Sequence, residues 1–382
     1  MKKRYIYLTI LISISLLISG CTKQRNEKKR NSTNILKIQK NKKKPDKVQK
    51  ILNAMSLDEK IGQLYFIHSN GNFSQTKNEI NKYQLGGIAL FGPDFKDRTK
   101  EKFHKEIKDY QKNSQHGLFI GTDQEGGTVS RLNTNPQITD RSFPSPQEIY
   151  QKSGIAGIKK ENSEVAKLLH KNGINVNFAP VADVAKNSNS FIYQRTLGKS
   201  YQETANYIPI AVKAIQSQNV AATLKHFPGY GDAGDTHTGF AQINKPFNKY
   251  EENDLLPFRA GIKAKVDNIM ISHIIIKNLD AQYPASLSPL VHQFLRKKMH
   301  YTGLIMTDDL EMGAITQFAQ KHSLNADVLA LQAGNDILLG GNPSTGIPAI
   351  KKAIHNKQIS MKQVNHSVYR ILKLKQKLHI LK

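Results

Sequence analysis

Val220-Ala221-Ala222-Thr223-Leu224-Lys225-His226-Phe227-Pro228-Gly229-Tyr230-Gly231-Asp232-Ala233-Gly234-Asp235-Thr236-His237 is the stretch on which the reading of this chain turns. Val220–Leu224 is a short apolar run, the pattern of a buried β-strand, and it stops at Lys225, His226 and a Pro-Gly turn. Glycines and a proline hold the next residues as a loop carrying Asp232, Asp235 and His237. Polar groups packed this densely at the mouth of a buried strand are costly to hold unless they bind something. Asp235 and His237 are two residues apart, close enough for the carboxylate to orient the imidazole and stabilise its charged form. The alternative is a solvated surface loop whose His and Asp do nothing.

Working outward, the same unit recurs: an apolar run ending in polar or glycine residues, then an amphipathic helical stretch. The runs are Ile61–Ile67, Gly87–Phe91, Leu118–Gly121, Ile174–Ala179, Val220–Leu224, Val266–Ser272, Leu304–Met306 and Asp336–Leu339. Helical patterns lie between them at Ile155–Leu169, Tyr201–Gln218 and Leu287–Met299. A last one, Ser360–Leu378, sets Val364, Val368, Ile371 and Leu372 on one face. Eight strand-like runs alternating with helices predict an α/β fold with a parallel sheet. Their number favours a closed (β/α)8 TIM-like barrel over an open doubly wound sheet, and no phosphate-cradling glycine motif comes after the first run.

In such a barrel the chemistry gathers where strands end at the C-terminal face. Asp123, Glu125 and Gly126-Gly127 follow the third run, Asp183 the fourth, Lys225 and His226 the fifth, His273 the sixth, and Asp308 and Asp309 the seventh. Taken singly each has a plain reading, because a strand-end Asp often caps the next helix and a His is often a satisfied core residue. As a set they point to one functional rim.

The front of the chain reads differently. Lys2, Lys3 and Arg4 precede an apolar run from Tyr5 to Ser19, too short for a comfortable membrane span, so residues 1–20 read as a secretory signal. The run closes at Leu17-Ile18-Ser19-Gly20-Cys21, and Cys21 is the only cysteine of the 382 residues, so no internal disulfide forms. Residues 21–50 read as a basic disordered tether: Thr22–Lys50 carries twelve Lys/Arg against Glu27 and Asp46, a net +10 of the formal +26. Without interleaved aromatics or a recognition motif this excess argues against a nucleic-acid domain. Beside an anionic membrane it adds surface attraction. Residues 51–382 read as one catalytic domain, expected to act as a monomer.

Five separated motifs then converge on a family. They are Asp123-Gln124-Glu125-Gly126-Gly127 with Arg131, Lys225-His226-Phe227-Pro228-Gly229, Asp235-Thr236-His237, Pro284-Ala285-Ser286-Leu287-Ser288 and Thr307-Asp308-Asp309-Leu310-Glu311-Met312. In that order they resemble glycoside hydrolase family 3, specifically its β-N-acetylhexosaminidase branch, from about residue 50 onward. The resemblance implies a TIM-like barrel hydrolysing terminal β-linked N-acetylglucosamine, with peptidoglycan fragments (muropeptides) as the expected substrates. The run ending at Cys21 resembles a bacterial lipobox, which implies an exported protein held to a membrane through a lipidated Cys21. Because the chain closes on the last helix, the second domain that some relatives carry is not expected.

By the same resemblance Asp308 is the nucleophile, His237 the acid/base and Asp235 its partner. Asp123, Arg131, Arg195, Lys225 and His226 are sugar-binding positions. Two departures stand out: Tyr230 where the family commonly has a second histidine, and Thr236 where it has serine. The first bears on how the loop packs. A retaining glycosidase needs a carboxylate to attack the anomeric carbon and a separate proton donor. An imidazole with an intrinsic pKa of about 6.5 suits that donor role near neutral pH. No cofactor and no metal is expected, since Asp235 and His237 have no third ligand at suitable spacing. Three other readings remain: a β-glucosidase of the same family, a family member transferring the sugar to phosphate, and a surface lipoprotein that binds sugar without cleaving it.

Overall fold

The computed structural model describes residues 46–382; Cys21, the apolar run before it and most of the basic tract lie outside the described residues. Eight strands make one sheet: β1 (Tyr65–His68), β2 (Gly87–Leu90), β3 (Phe119–Thr122), β4 (Val176–Asn177), β5 (Ala221–Phe227), β6 (Asn268–Ile271), β7 (Leu304–Thr307) and β8 (Leu338–Leu339). Their order is β7-β6-β5-β4-β3-β2-β1-β8, with every neighbouring pair parallel. A parallel bridge between Met306 and Ile337 brings β7 to the residue leading into β8. The ring is thereby nearly closed, and the fold is a (β/α)8 TIM-like barrel. Among the described residues no helix is long and apolar enough to cross a membrane.

Aromatic side chains fill the barrel interior. Phe66 of β1 stacks on Phe119 of β3 at 6.4 Å and meets the edge of Phe178, just past β4, at 5.5 Å. Gly121 makes room for them, because a Cβ there would lie 2.7 Å from the Phe178 ring and 2.8 Å from that of Phe66. A glycine inside a strand weakens it unless such a close approach demands one.

Each apolar run contains a barrel strand, but three boundaries differ from expectation. Ile61 and Gly62 belong to the helix Leu57–Gly62, started by a reciprocal cap between Ser56 and Glu59, so β1 begins only at Tyr65. β5 does not stop at Leu224: its ladder carries Lys225 and His226 inside the strand, where acidic neighbours neutralise them. Lys47–Lys50, counted with the tether by composition, open the helix Lys47–Ala54, whose Val48 and Leu52 are buried.

The helix Met361–Lys377 lies across the barrel's N-terminal end. Arg370 and Ser367 bond the Asp336 carboxylate ahead of β8, Lys377 pairs with Asp267 ahead of β6, and the buried Lys375 Nζ donates to Gln63 Oε1 and the Gly117 carbonyl at 2.6 Å each. Val364, Val368, Ile371 and Leu372 are fully buried beneath it. The opposite, C-terminal end is left to the loops that carry the polar rim.

Candidate active site

Lys225, although inside a strand, is 2% exposed, and burying its ammonium is tolerable only if it is paired. Its Nζ lies 2.6 Å from Asp123 Oδ1 and 2.6 Å from Glu125 Oε1, both just past β3. Burial would push the lysine down, and the two carboxylates outweigh it, so it stays charged. Glu125 also takes a two-pronged contact from Arg195, with Nε at 2.9 Å and Nη2 at 2.7 Å. Burial raises the Glu125 carboxyl, but Lys225 and Arg195 together hold it down at about 2. A carboxylate held that low has no proton to donate at neutral pH, so Glu125 braces Lys225 and Arg195.

Arg131 approaches Asp123 at 3.8 Å and lies over the Phe91 ring at 5.7 Å. Its Nε is buried with no hydrogen-bond partner in the protein. Such a donor is expensive to leave unmet, which marks Arg131 as a group awaiting a ligand. Arg195 Nη2 stands 3.4 Å from His226 Nε2, so the five expected sugar-binding residues form one connected cluster.

Asp183 caps no helix. Its Oδ2 accepts from the His226 amide at 3.1 Å and from His226 Nδ1 at 2.6 Å, and its Oδ1 accepts from the Tyr230 amide at 2.7 Å. With Nδ1 so engaged, His226 turns Nε2 toward Arg195 and the rim. His273 is a satisfied buried histidine: Nε2 donates to the Asp309 carbonyl and Nδ1 accepts from Ser286 Oγ, each at 2.7 Å. Burial lowers its pKa, keeping the ring neutral and in that tautomer. The Pro284–Ser288 motif therefore supports the turn that carries Asp308 from behind.

Asp308 follows β7 and is half-buried, its Oδ1 accepting the Asp309 amide at 2.9 Å. Burial pushes its carboxyl up; His226, His273, the Asp309 amide and Lys225 outweigh it, so the group sits below the usual carboxylate range. Asp309 turns away and pairs with His68 at 2.9 Å, while Glu311 reaches the other ring nitrogen at 3.4 Å. His68, Asp309 and Glu311 are the only grouping of metal-ligand type among the described residues, with atoms within 4.8 Å. Burial opposes the charge on His68, but the two carboxylates raise it to about 10, so its ring carries a proton where a metal would need a lone pair. A polar cavity of about 300 Å³ opens beside this trio, lined by His68, Glu79 and Asn342 among others. None of the sugar-binding cluster lines it.

His237 sits on the loop after β5, 58% exposed, with Nδ1 2.5 Å from Asp235 Oδ1; the same oxygen accepts the His237 amide at 2.9 Å. The loop is docked by backbone contacts. The Thr236 and His237 carbonyls accept the amides of Ala314 and Gly313, at 3.2 and 3.1 Å, at the start of the helix Gly313–His322. Gly313 permits this approach, since a Cβ would lie 2.7 Å from the His237 carbonyl. That helix begins five residues after Asp308, so the loops bearing His237 and Asp308 meet. Asp232 serves the scaffold, accepting the amides of Lys186 and Asn187 at 3.0 Å each.

Glu125 and Asp183 were legible only as strand-end acids, and nothing in sequence said which cation each would hold. His68 went unmarked, though it ends the first strand as the others end theirs.

Residues 56–374 match the glycosyl hydrolase family 3 N terminal domain. A β-hexosaminidase A from Pseudoalteromonas piscicida is 32% identical over 327 residues, covering 78% of this chain and 54% of its own length. A β-hexosaminidase from Xanthomonas euvesicatoria is 29% identical over 275 residues, 71% of this chain and 80% of that one. Among solved structures, a family 3 β-N-acetylglucosaminidase from Paenibacillus sp. is 29% identical with a TM-score of 0.80, over 86% of this chain and 63% of that one. The chain thus spans about half of the Pseudoalteromonas protein. With the match running through nearly the whole barrel, this chain belongs to glycosyl hydrolase family 3, by that family's N-terminal domain.

Proposed function

We propose that the protein is a retaining β-N-acetylhexosaminidase that removes terminal β-linked N-acetylglucosamine by double displacement. Asp308 attacks the anomeric carbon; His237, oriented by Asp235, protonates the departing oxygen and then activates water. Asp123, Arg131, Lys225 and His226 hold the sugar hydroxyls, and Arg195 acts through Glu125 and His226. The observation that carries this reading is the pairing of His237 with Asp235 on a loop docked against the turn of an ionised Asp308. Relatives named β-hexosaminidase support the choice of sugar.

Cys21, in this proposal, is the lipidated first residue of the exported protein, and peptidoglycan fragments are the natural substrates. The lipobox-like run and the basic tract support the anchor.

A panel of p-nitrophenyl β-glycosides, with and without inorganic phosphate, tests the activity. N-acetylglucosaminide turnover well above glucoside turnover, and independent of phosphate, is expected. Comparable turnover of both glycosides would make it a β-glucosidase, and phosphate-dependent release a phosphorylase.

A further inference from the structure

Tyr230 and Thr236, the two departures from the family pattern, touch each other. Tyr230 is 1% exposed and Thr236 is fully buried. The Tyr230 hydroxyl accepts the Thr236 amide at 3.1 Å and also contacts the Thr236 hydroxyl. At its other end Tyr230 is fixed by its amide bond to Asp183, which in turn holds His226. The Tyr230 ring packs edge-on against His226 at 5.6 Å and Phe191 at 5.0 Å, and Phe191 also faces His237 at 6.4 Å. Between the two residues the chain runs through Gly231, Asp232, Ala233, Gly234 and Asp235, a stretch with two glycines. Glycines lose more conformational freedom than other residues when held, so this stretch needs pins at both ends.

We propose that Tyr230 is a positioning residue for the acid/base, clamping Thr236 so that His237 stands in register with Asp308. Asp183 is the shared anchor, fixing the sugar-side ring of His226 with one oxygen and the clamp with the other. Thr236 precedes His237 directly, so loss of the clamp shifts the imidazole while leaving Asp308 and its surroundings untouched. The inference rests on His237 being the proton donor.

The experiment measures kcat/KM across aryl β-N-acetylglucosaminides of graded leaving-group acidity, plus N,N′-diacetylchitobiose. Tyr230→Phe and Thr236→Val each delete one hydroxyl. Both are expected to cleave the nitrophenyl glycoside nearly as wild type in the first step, and to lose about tenfold on the disaccharide, the scale of one well-placed hydrogen bond. The dependence on leaving group steepens accordingly. The double variant loses no more than either single one, and Thr236→Ser, which keeps a hydroxyl, behaves as wild type. Ratios between substrates do not depend on how much enzyme is folded, so a destabilised variant still gives an answer. Equal losses on every leaving group, no loss at all, or Thr236→Ser matching Thr236→Val would overturn the proposal. His237→Ala is run alongside. A steep leaving-group dependence there with none in Tyr230→Phe removes the clamp alone, whereas none in His237→Ala removes the donor role itself.

Discussion

The Nδ1 of His237 faces Asp235 Oδ1 at 2.5 Å, leaving Nε2 as the ring atom free to meet a departing oxygen. The ring carries this arrangement while 58% exposed, and its loop leans on the helix that begins after Asp308. Donor and nucleophile therefore belong to separate loops that touch, and their duties separate in mutants.

Asp308→Ala is expected to abolish turnover of every glycoside, because no covalent intermediate forms. His237→Ala should keep the first step with a nitrophenyl substrate, whose leaving group departs without a proton, and slow the second. The measurable outcome is a burst of nitrophenol and then a slow steady state, with the rate restored by azide. Stopped-flow absorbance checks it. Equal losses on nitrophenyl and disaccharide substrates, without a burst, would transfer the donor role to another group.

Arg131 has a buried Nε with no protein partner, so substrate is expected to satisfy it. Arg131→Ala should lower kcat/KM by about ten- to a hundredfold, the equivalent of a charged hydrogen bond of about 1.5–3 kcal/mol. The melting temperature should hardly move, since the side chain's nearest carboxylate is 3.8 Å away. A large fall in melting temperature with unchanged kcat/KM would make Arg131 a structural residue.

Glu125 links stability to pH. Its carboxyl is held at about 2 in the fold against an ordinary 4.5. The stabilisation is thus complete above pH 4.5, shrinks as the unfolded chain takes up the proton, and is gone once pH falls through about 2. The gap between the two values corresponds to roughly 3 kcal/mol. Glu125→Gln should therefore be much less stable than wild type at pH 7, with the difference closing by pH 3. Denaturant melts at both pH values test this, and a pH-independent difference would refute the ion-pair account.

Cys21→Ser should release the protein from the membrane fraction of cells expressing it. Fractionation unchanged from wild type would mean that Cys21 carries no anchor.

The architecture was largely written in the eight apolar runs, since burial on both faces of a parallel strand leaves an unmistakable hydrophobic stretch. Where strands ended was harder to read. Lys225 and His226 look like loop residues until Asp123, Glu125 and Asp183 arrive from β3 and β4 to neutralise them, and that convergence is long-range. The pairing of His237 with Asp235 was legible because it is local. Glu125 resisted reading for the opposite reason: an isolated strand-end acid says nothing of whether two cations or none will face it. His68 was missed because its partners, Asp309 and Glu311, come from the far end of the chain.

The helix lying across the barrel's N-terminal end fixes the direction from which the chain enters. Asp46 accepts hydrogen bonds from Tyr369 and Lys373 of that helix at 3.3 and 3.4 Å, so any segment ahead of it leaves from beneath the barrel. The catalytic rim opens at the other end. A protein tied down through its N-terminal segment would then stand on its floor, mouth outward, offering the site to glycans above the surface that holds it and turning it away from that surface itself.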